Sequence, residues 1–254
     1  MSTSSSLVPE SRGVIDVAFT GDGVRAADVA VVIDVLRATS TATQALAAGY
    51  RNVLCVGSIE SARELRSPGR VLAGERHCVK PPGFDQGNSP REARDRRGDE
   101  FVLATTNGAP TIVAAAACAP TVLLACLLNL DAVVMELLDR EAVKGSDLQI
   151  VCSGTDGAVA LEDVYVAGRL IARLRGARTD AALVAQAVAR AFPTPLDALA
   201  ASADAAALRA AGLTADIADC ARESQLNELP AVVSTSAGVA IVARADRRSL
   251  TRHL

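Results

Sequence analysis

Short apolar runs alternate with helix-like segments from Asp28 to about Leu174. The run Asp28–Asp34 is rich in Val and Ile, which is typical of a parallel strand buried on both faces. The segment Thr39–Ala48 favours a helix, and Arg51–Val56 has the composition of the next strand. Because strands that alternate with helices form βαβ units, this order predicts an α/β fold with three αβα layers around a mostly parallel sheet.

The final third of the chain follows a different pattern. From Thr179 to Arg222 it is mostly Ala-rich helix, and two short strands are predicted after it, at Ala231–Ser234 and Val239–Ala243. We expect this helix-rich third either to cap the sheet or to form a second lobe. The predicted division is an N-terminal α/β half, residues 1–145, with a C-terminal α/β half, residues 146–254, packed against it as a single functional unit.

Charge and hydropathy exclude several classes of partner. The formal charge of −3 gives no general attraction to nucleic acid or to an anionic membrane surface. The longest apolar run, Ala109–Leu130, contains two prolines, so it is more typical of a helix, a turn and a strand than of a membrane span. We therefore expect a small-molecule substrate, no nucleic acid and no membrane.

Cysteine usage and the first residues of the chain predict a cytoplasmic protein. The six cysteines are far apart and form no Cys-x-x-Cys, and there are two histidines, so a Cys/His zinc site is not expected. Cysteines within apolar runs are typical of buried free thiols in a reducing compartment. The opening Met-Ser-Thr-Ser-Ser-Ser lacks the basic residues and the apolar stretch of a signal peptide.

The segment from Asp34 to Thr41 joins the Val-rich strand to the next helix and holds a carboxylate, a guanidinium and three hydroxyls. Ligands in open α/β sheets bind beyond the carboxyl ends of the strands, where helix N-termini offer free N–H groups. Asp34 suits a cation, and Arg37 with the hydroxyls suits an anion. A helix-entry carboxylate and an ordinary cap are the structural alternatives, but the combination suggests a metal-assisted phosphate or carboxylate site.

Four further polar clusters lie where strands are predicted to end or in the loop nearby: Gly74–Arg76, Gly83–Pro90, Thr105–Gly108 and Ser153–Gly157. Each has an ordinary explanation as an ion pair or a capped turn. In the second cluster Ser89 is predicted as an N-cap, with Pro90 at the first helical position and Glu92 completing a capping box. Because parallel strand ends lie on one edge of the sheet, we expect the clusters to converge in space.

Common phosphatase signatures are absent from the sequence. A cysteine-phosphatase loop at Cys152 would need an arginine six positions on, where Ala158 stands. An aspartyl-phosphate motif at Asp34 would need a second aspartate at Leu36. There is no P-loop and no Ser-centred nucleophile elbow.

Five blocks, in this order, resemble the 2-phosphosulfolactate phosphatase family: Asp34-Val-Leu-Arg-Ala-Thr-Ser-Thr, Ala73-Gly-Glu-Arg, Gly83-Phe-Asp-Gln-Gly-Asn-Ser-Pro, Thr105-Thr-Asn-Gly and Cys152-Ser-Gly followed by Ala160-Leu-Glu-Asp. Each block is common alone, but their order from about Asp28 to Gly168 is specific. The resemblance implies a Mg²⁺-dependent acid phosphatase that converts 2-phosphosulfolactate to 3-sulfolactate and phosphate, on a route to coenzyme M. It also implies a three-layer α/β fold and a homodimer or higher homo-oligomer.

The resemblance and the charge of such a substrate imply roles for individual residues. The expected catalytic residues are Asp34, Arg37, Glu75 and Asp85. The expected substrate-binding residues are Arg76, Thr39, Asn88, Thr106, Asn107 and Gly108. The expected Mg²⁺ ligands come from Asp34, Glu75, Asp85, Glu162 and Asp163, with a water-activating base in the same set. A covalent aspartyl intermediate through Asp34 is an alternative to attack by water.

Two departures from the family pattern bear on the substrate. His77 and Cys78 follow the Gly-Glu-Arg block where a small residue such as glycine is expected, and Ala109 stands where threonine is more usual. Neither change removes an expected ligand, but both affect the shape of the pocket. The alternatives are therefore a phosphatase of another small phosphorylated hydroxy acid and, in a different class, a non-catalytic anion-binding domain.

Overall fold

The computed structural model describes residues 13–245, in which eleven strands form one sheet surrounded by helices. The strands are β1 (Val14–Ala18), β2 (Val29–Ile33), β3 (Asn52–Val56), β4 (Arg70–Gly74), β5 (Gln86–Gly87), β6 (Glu100–Ala104), β7 (Thr121–Ala125), β8 (Leu148–Cys152), β9 (Ala177–Arg178), β10 (Pro230–Ser236) and β11 (Val239–Arg244). The helices are α1 (Ala38–Ala47), α2 (Ile59–Glu64), α3 (Pro90–Ala93), α4 (Gly108–Cys118), α5 (Leu130–Lys144), α6 (Leu161–Ile171), α7 (Asp180–Ala191), α8 (Pro195–Ala200), α9 (Ala203–Ala210) and α10 (Thr214–Cys220). The α/β fold with a mostly parallel sheet is confirmed. The opening residues interpreted above as lacking a signal peptide lie outside the described part.

The strand order is β5-β4-β6-β3-β11-β10-β7-β2-β8-β1-β9. All pairings are parallel except those of the hairpin β10–β11, which is antiparallel to its neighbours β7 and β3. The two short strands predicted near the end of the sequence therefore sit in the middle of the sheet. Strands from before and after residue 145 thus share one hydrogen-bonded sheet, which places the C-terminal hairpin between β3 and β7.

The sheet curves, and this curvature creates the site. In a flat sheet β6 and β2, five strand positions apart, would be about 24 Å from each other. Gly108 is four residues beyond β6, a reach of at most about 14 Å, yet a Cβ at Gly108 would lie 2.5 Å from Oδ2 of Asp34, which directly follows β2. The right-handed twist of β-sheets allows such coiling. The ends of distant strands therefore meet.

The core is layered on both faces of the curved sheet. One cluster packs α1 and α4 against alternate residues of β2, such as Ala30 and Val32. The intervening residues of β2, among them Val31, face a second cluster with α5 and α6. A third cluster buries Ala62 of α2 against β3, β4 and β6. This alternation along β2 explains its continuous apolar sequence, since both of its faces are covered.

The helices between Thr179 and Arg222 cap the sheet. Buried residues of α7–α10, such as Ala185, Leu199, Leu208 and Ile217, belong to the same hydrophobic cluster as β1, β2 and β8. A separate lobe would have a core of its own, so the capping alternative is correct. Among residues 13–245, no helix combines the length and the apolar character that crossing a membrane requires.

The six cysteines are free thiols, as expected. Cys55, Cys126, Cys152 and Cys220 are buried, and burial raises the pKa of Cys55 to about 12. Thiols in such surroundings stay protonated and unreactive. Cys152, the last residue of β8, is one of these buried thiols, and burial raises its pKa well above the usual range.

Candidate active site

A cavity of about 230 Å³ opens at the carboxyl edge of the sheet, where β2, β4, β6 and β8 end. Its lining includes Asp34, Arg37, Glu75, Thr106, Asn107 and Thr155, each from a polar cluster after one of these strands, together with Asp163 of α6. The volume is below the roughly 300–1,000 Å³ of pockets for drug-sized ligands. The clusters therefore converge, as expected, on a cavity sized for a small metabolite.

Asp34 lies where the chain beyond β2 meets the chain beyond β6. Its Oδ1 accepts a hydrogen bond of 2.9 Å from the N–H of Ala38, which begins α1, and Gly108 of α4 packs beside its Oδ2. Desolvation raises the pKa of Asp34 to about 7, reinforced by the negative charges of Asp204 and Glu75 and opposed by the Ala38 N–H and Arg37. This side chain is therefore poised between its acid and carboxylate forms near neutral pH. Gly108 is required there because any side chain would displace the carboxylate.

Arg37 is the N-cap residue of α1, follows a cis Leu36–Arg37 peptide bond, and is almost fully buried although it lines the cavity. Its Nη1 donates a 2.7 Å hydrogen bond to Oδ2 of Asp216 on α10. Oδ1 of Asp216 accepts a second bond, 2.8 Å, from the hydroxyl of Ser89. The guanidinium is thus held by a residue from the helical third.

Glu75 and Thr106 form a hydrogen-bonded unit between the ends of β4 and β6. Oε1 of Glu75 accepts bonds of 3.1 Å from both the backbone N–H and the hydroxyl of Thr106. Nη1 of Arg76 donates to the same hydroxyl oxygen at 2.9 Å. Within residues 13–245 the cavity lining includes Glu75 and Thr106 but not Arg76. Arg76 therefore orients Thr106 from outside the described cavity lining.

Asp163 of α6 lines the cavity near Asp34, and Glu162 is buried beside it. The Asp163 carboxylate accepts bonds from the N–H groups of Val35, at 2.9 Å, and Gly154, at 3.3 Å. Burial, with the charges of Glu162 and Asp34, raises the pKa of Asp163 well above its usual range. Burial and the charge of Asp204 raise the pKa of Glu162 to about 8. Only Asp163 of this adjacent pair lines the cavity among the described residues.

Two tight turns form part of the rim. One bridges Arg76 to Val79 and holds His77 and Cys78 at positive φ; the other bridges Thr155 to Ala158 and holds Asp156 at positive φ. Left-handed backbone is uncommon for residues other than glycine. His77, Cys78 and Asp156 all line the cavity. Two of the three residues that depart from the family pattern therefore shape the site directly, whereas the third, Ala109, does not line the described cavity.

The structure corrects the expected place of Asp85 and Thr39. The Asp85 carboxylate accepts a 2.8 Å bond from the Leu72 N–H, stands 3.8 Å from Arg66, and is 38% exposed, outside the described cavity. It serves the loop between β4 and β5. The Thr39 hydroxyl is buried and donates to the backbone oxygen of Asp34 at 2.8 Å, so it stabilises the turn rather than facing the cavity.

The capping box predicted at the start of α3 is wrong. Ser89 is the N-cap residue, but its hydroxyl donates to Asp216 instead of capping the helix. The Glu92 carboxylate accepts from the N–H of Gly87 rather than from that of Ser89. The neighbouring Asn88 is buried and lines the cavity, and its Oδ1 has no hydrogen-bond partner in the described structure. Asn88 therefore has an acceptor available to a ligand.

Sequence reasoning missed two acidic residues from the helical third. Asp204 lines the cavity and accepts a 2.6 Å bond from the Thr155 hydroxyl, while Asp216 holds Arg37. Both lie in the first turn of a short helix. Acidic residues are common there because they complement the helix dipole. The available signal was therefore indistinguishable from ordinary helix starts.

The donor set fits a hard cation. Among the side chains that the structure describes, those of residues 13–140 and 145–245, no group of three or more His, Cys, Asp or Glu is arranged to hold a metal ion. Mg²⁺, however, is usually bound by one or two carboxylates together with waters and substrate phosphate oxygens. The described lining has five carboxylates against one arginine, which is already paired. Asp34 with Glu75 would match the need of Mg²⁺ and relieve their mutual repulsion.

Comparisons with known proteins give one consistent result. A family model described as 2-phosphosulpholactate phosphatase matches residues 19–235. A protein of Thermus thermophilus named probable 2-phosphosulfolactate phosphatase is 42% identical over 216 residues, covering 83% of this chain and 90% of that one. The corresponding protein of Deinococcus radiodurans is 40% identical over 214 residues, covering 81% and 88%. One from Methanothermobacter thermautotrophicus, named 2-phosphosulfolactate phosphatase, is 33% identical over 202 residues, covering 79% and 84%.

Proposed function

The chain belongs to the 2-phosphosulpholactate phosphatase family, whose name denotes a phosphoric monoester hydrolase, and we propose that it hydrolyses 2-phosphosulfolactate to 3-sulfolactate and phosphate with Mg²⁺. The family model extends over both the strand-end clusters and the helical third that supplies Asp204 and Asp216. The site as a whole therefore lies within the matched region. A product of this kind would enter a route to coenzyme M.

The convergence of Asp34, Glu75 and Arg37 on one small polar cavity carries the proposal. A pure anion-binding site gains nothing from several carboxylates around its ligand, since each repels the anion. A hydrolase gains from them, because it must hold a cation, orient water and move protons. The lining thus favours a metal-assisted phosphatase over a non-catalytic anion-binding domain.

The chain's own residues have distinct tasks in this proposal. Arg37 keeps donors on Nη2 and Nε for phosphoryl oxygens, because Asp216 engages Nη1. Thr106 and Asn107 present polar groups at the start of α4, whose dipole favours anions there. Asp34 has a pKa of about 7 without metal, so Mg²⁺ bound there would displace its proton near neutral pH. Asn88 offers its unpartnered Oδ1 to a hydroxyl or a water.

Mg²⁺ held by Asp34 and Glu75 would supply charge neutralisation and Lewis-acid polarisation of the phosphoryl group. Asp163, which also lines the cavity, is the further carboxylate of the set. The expected role of Asp85 as a ligand is not supported by its place beside Leu72 and Arg66.

The test is phosphate release from 2-phosphosulfolactate, with Mg²⁺ and with a chelator, against a panel of phosphorylated hydroxy acids lacking the sulfonate. Mg²⁺-dependent release that prefers the sulfonate supports the proposal. Release from other esters but not from this one keeps the mechanism and replaces the substrate. Tight binding of esters without turnover, in the folded protein with metal present, would favour the anion-binding domain.

Attack by water and attack by Asp34 give different chemical signatures. A covalent route would place the phosphoryl group on an Asp34 oxygen, and water would then release it. Both routes put the oxygen of water into phosphate, so the intermediate itself has to be trapped. Quenching during turnover, then borohydride reduction and mass analysis of the peptide containing Asp34, separates the two: reduction of Asp34 to homoserine supports the covalent route, whereas an unchanged Asp34 supports direct attack.

We further propose a homodimer or higher homo-oligomer that works in the cytoplasm. The support is the family resemblance for assembly, and the cysteine pattern for a reducing compartment. Light scattering coupled to size exclusion would measure the assembly directly, and a monomeric mass would contradict it.

A further inference from the structure

Asp216 and Asp219 lie three residues apart on α10, yet they have different partners. Asp216 and Arg37 form an ion pair in which both side chains are almost fully buried, 3% and 4% exposed. The second carboxylate oxygen of Asp216 is taken by the Ser89 hydroxyl. Both oxygens are therefore directed by defined partners, which fixes the carboxylate and, through it, Nη1 of Arg37.

Asp219 is buried as well, but its partners are arginines at the surface. Its oxygens lie 3.2–3.3 Å from Arg91, Arg94 and Arg222, whose side chains are 38–53% exposed. These pairs join α10 to α3 and to its own C-terminal end. They do this without touching the cavity, so the attachment of α10 already has its own ion-pair cluster.

We propose, building on the proposed function, that Asp216 is a positioning residue that orients the Arg37 guanidinium toward the phosphoryl group. Arg37 is the one arginine in the described lining of the cavity. Its side chain would otherwise sample several rotamers, and an anion would have to order it on binding. Because Asp216 engages a single nitrogen, the planar fork is held while its other donors stay available.

Ser89 gives this arrangement a link to the loop that carries Asn88. The Ser89 hydroxyl donates to Asp216 at 2.8 Å, and the adjacent Asn88 lines the cavity. One carboxylate from the helical third therefore orients an anion-binding side chain on α1 and anchors the loop that presents Asn88. A small displacement of such groups weakens transition-state contacts more than ground-state binding.

The first experiment compares Asp216→Asn with Asp219→Asn in the full chain with Mg²⁺. We expect D216N to lower kcat at least 10-fold and to change KM less than 3-fold. We expect D219N to leave both kcat and KM within about 3-fold, even if its melting temperature falls as far as that of D216N. Equal kinetic losses in the two variants would overturn the proposal, because they would show that Asp216 merely attaches α10.

A double-mutant cycle isolates the action through Arg37. Once Arg37→Lys has removed the planar fork, adding D216N should cost less than 3-fold in kcat. Full additivity of the two losses would overturn the proposal. Should D216N fail to fold, Ser89→Ala replaces it in the cycle, with an expected 3- to 5-fold fall in kcat that also disappears in the Arg37→Lys background.

Binding of inorganic phosphate, measured by calorimetry with Mg²⁺ present, tests the positioning independently of turnover. A wild type that binds phosphate but hydrolyses no ester would refute the proposed function alone. We expect D216N to bind phosphate about 2- to 3-fold more weakly than the wild type, in line with the small change expected in KM, and D219N to bind equally. Unchanged or tighter binding by D216N would overturn the inference, because it would show that Asp216 chiefly neutralises Arg37.

Discussion

Two regions of this chain reach the same cavity by different routes. In the α/β region, Asp34, Glu75 and Thr106 each follow the end of a strand, so the sheet itself determines where they point. In the helical third, Asp204 lines the cavity and Asp216 acts on it through Arg37, and both residues lie on short helices. A strand-end residue is placed by local hydrogen bonding, whereas a rim residue depends on tertiary packing. The first kind leaves a readable sequence signal and the second does not.

Replacing Asp34 by Asn should have the largest effect, because Asp34 lines the cavity at the point where the chain segments after β2 and β6 meet. We expect kcat/KM to fall at least 1,000-fold, about 4 kcal/mol of transition-state stabilisation. Asn keeps an oxygen for the Ala38 N–H, so the start of α1 should survive. Steady-state kinetics with circular dichroism as the folding control measures this. Unchanged turnover in the folded variant would exclude Asp34 from the reaction.

Glu75→Gln and Asp85→Asn test the structure against the sequence within the α/β region itself. Both carboxylates were expected at the site, but only Glu75 lines the cavity. We expect E75Q to lose about 100-fold in kcat/KM, about 2.7 kcal/mol. D85N should keep its activity within about 2-fold and lose stability by roughly 1 kcal/mol, since it weakens the bond to the Leu72 N–H. A reversed pattern would show that the loop before α3 closes over the substrate.

The buried carboxyl groups lose their protons as pH rises, and this loss should make the metal-free protein less stable. The folded-state pKa is raised to about 7 for Asp34 and to about 8 for Glu162, above 3.8 and 4.5 in ordinary surroundings. The folded protein therefore binds more protons than the unfolded chain across this window, and stability falls with increasing pH. At about 1.4 kcal/mol per proton per pH unit, the two groups together give an expected loss of roughly 6 kcal/mol between about pH 5 and pH 8.

Thermal unfolding at several pH values with a chelator measures this slope, and D34N serves as its control. The variant lacks the Asp34 titration, so its stability should change less with pH. Adding Mg²⁺ at about pH 8 should restore stability, because ligand that binds only the folded state stabilises it. A stability that rises from pH 5 to pH 8 in the metal-free wild type would contradict a raised pKa for Asp34.

Asp204→Asn extends the comparison to the helical third, with Asp197→Asn as its matched control. Asp204 lines the cavity, whereas Asp197 on the preceding helix α8 is exposed and bonds to the Thr194 hydroxyl. We expect D204N to lower kcat/KM about 10-fold, about 1.4 kcal/mol, and D197N to leave it within about 2-fold.

The same variant has a pH signature. Since the negative charge of Asp204 raises the pKa of Asp34, D204N should move the acidic limb of the pH–rate profile to lower pH. Equal kinetics in D204N and D197N, with no shift of the profile, would reduce the helical third to a structural cap.

The contrast also explains how much could be predicted from the sequence. The apolar run at β2, flanked by helix-forming segments, was sufficient to predict a parallel central strand and the polar edge beyond Asp34. The relation between β2 and β6 was not predictable, because the strands between them include the hairpin β10–β11, which comes from the end of the described chain and lies between β7 and β3. Local patterns do not encode such long-range pairing. The sequence predicted that the polar clusters after the strands would converge, but it did not predict how they are arranged around the cavity.

Residue roles divided along the same line. Glu75 and Asn107 line the cavity as expected. Asp85 and Thr39 instead form hydrogen bonds with nearby backbone groups. Asp and Thr readily satisfy nearby backbone groups, so a polar loop residue can serve the loop rather than a ligand. Nothing in the sequence distinguishes the two uses. The buried Arg37–Asp216 pair spans 179 positions and could be recognised only in three dimensions.

A substitution in the turn between β10 and β11 should have the smallest effect, and it tests whether a change in stability far from the cavity leaves activity unchanged. Ala237 and Gly238 both have positive φ in an exposed two-residue turn, a type I′ geometry in which Asn-Gly is strongly preferred. Ala237→Asn should therefore stabilise the protein by roughly 0.5 kcal/mol, raising Tm by about 1–2 °C, because Asn adopts left-handed backbone more easily than Ala. Activity should stay at the wild-type level, since the turn does not line the described cavity. Calorimetry beside a kinetic assay measures both quantities. A change in kcat larger than 2-fold would show that the hairpin, through the curvature of the sheet, holds the two strand-end clusters in register.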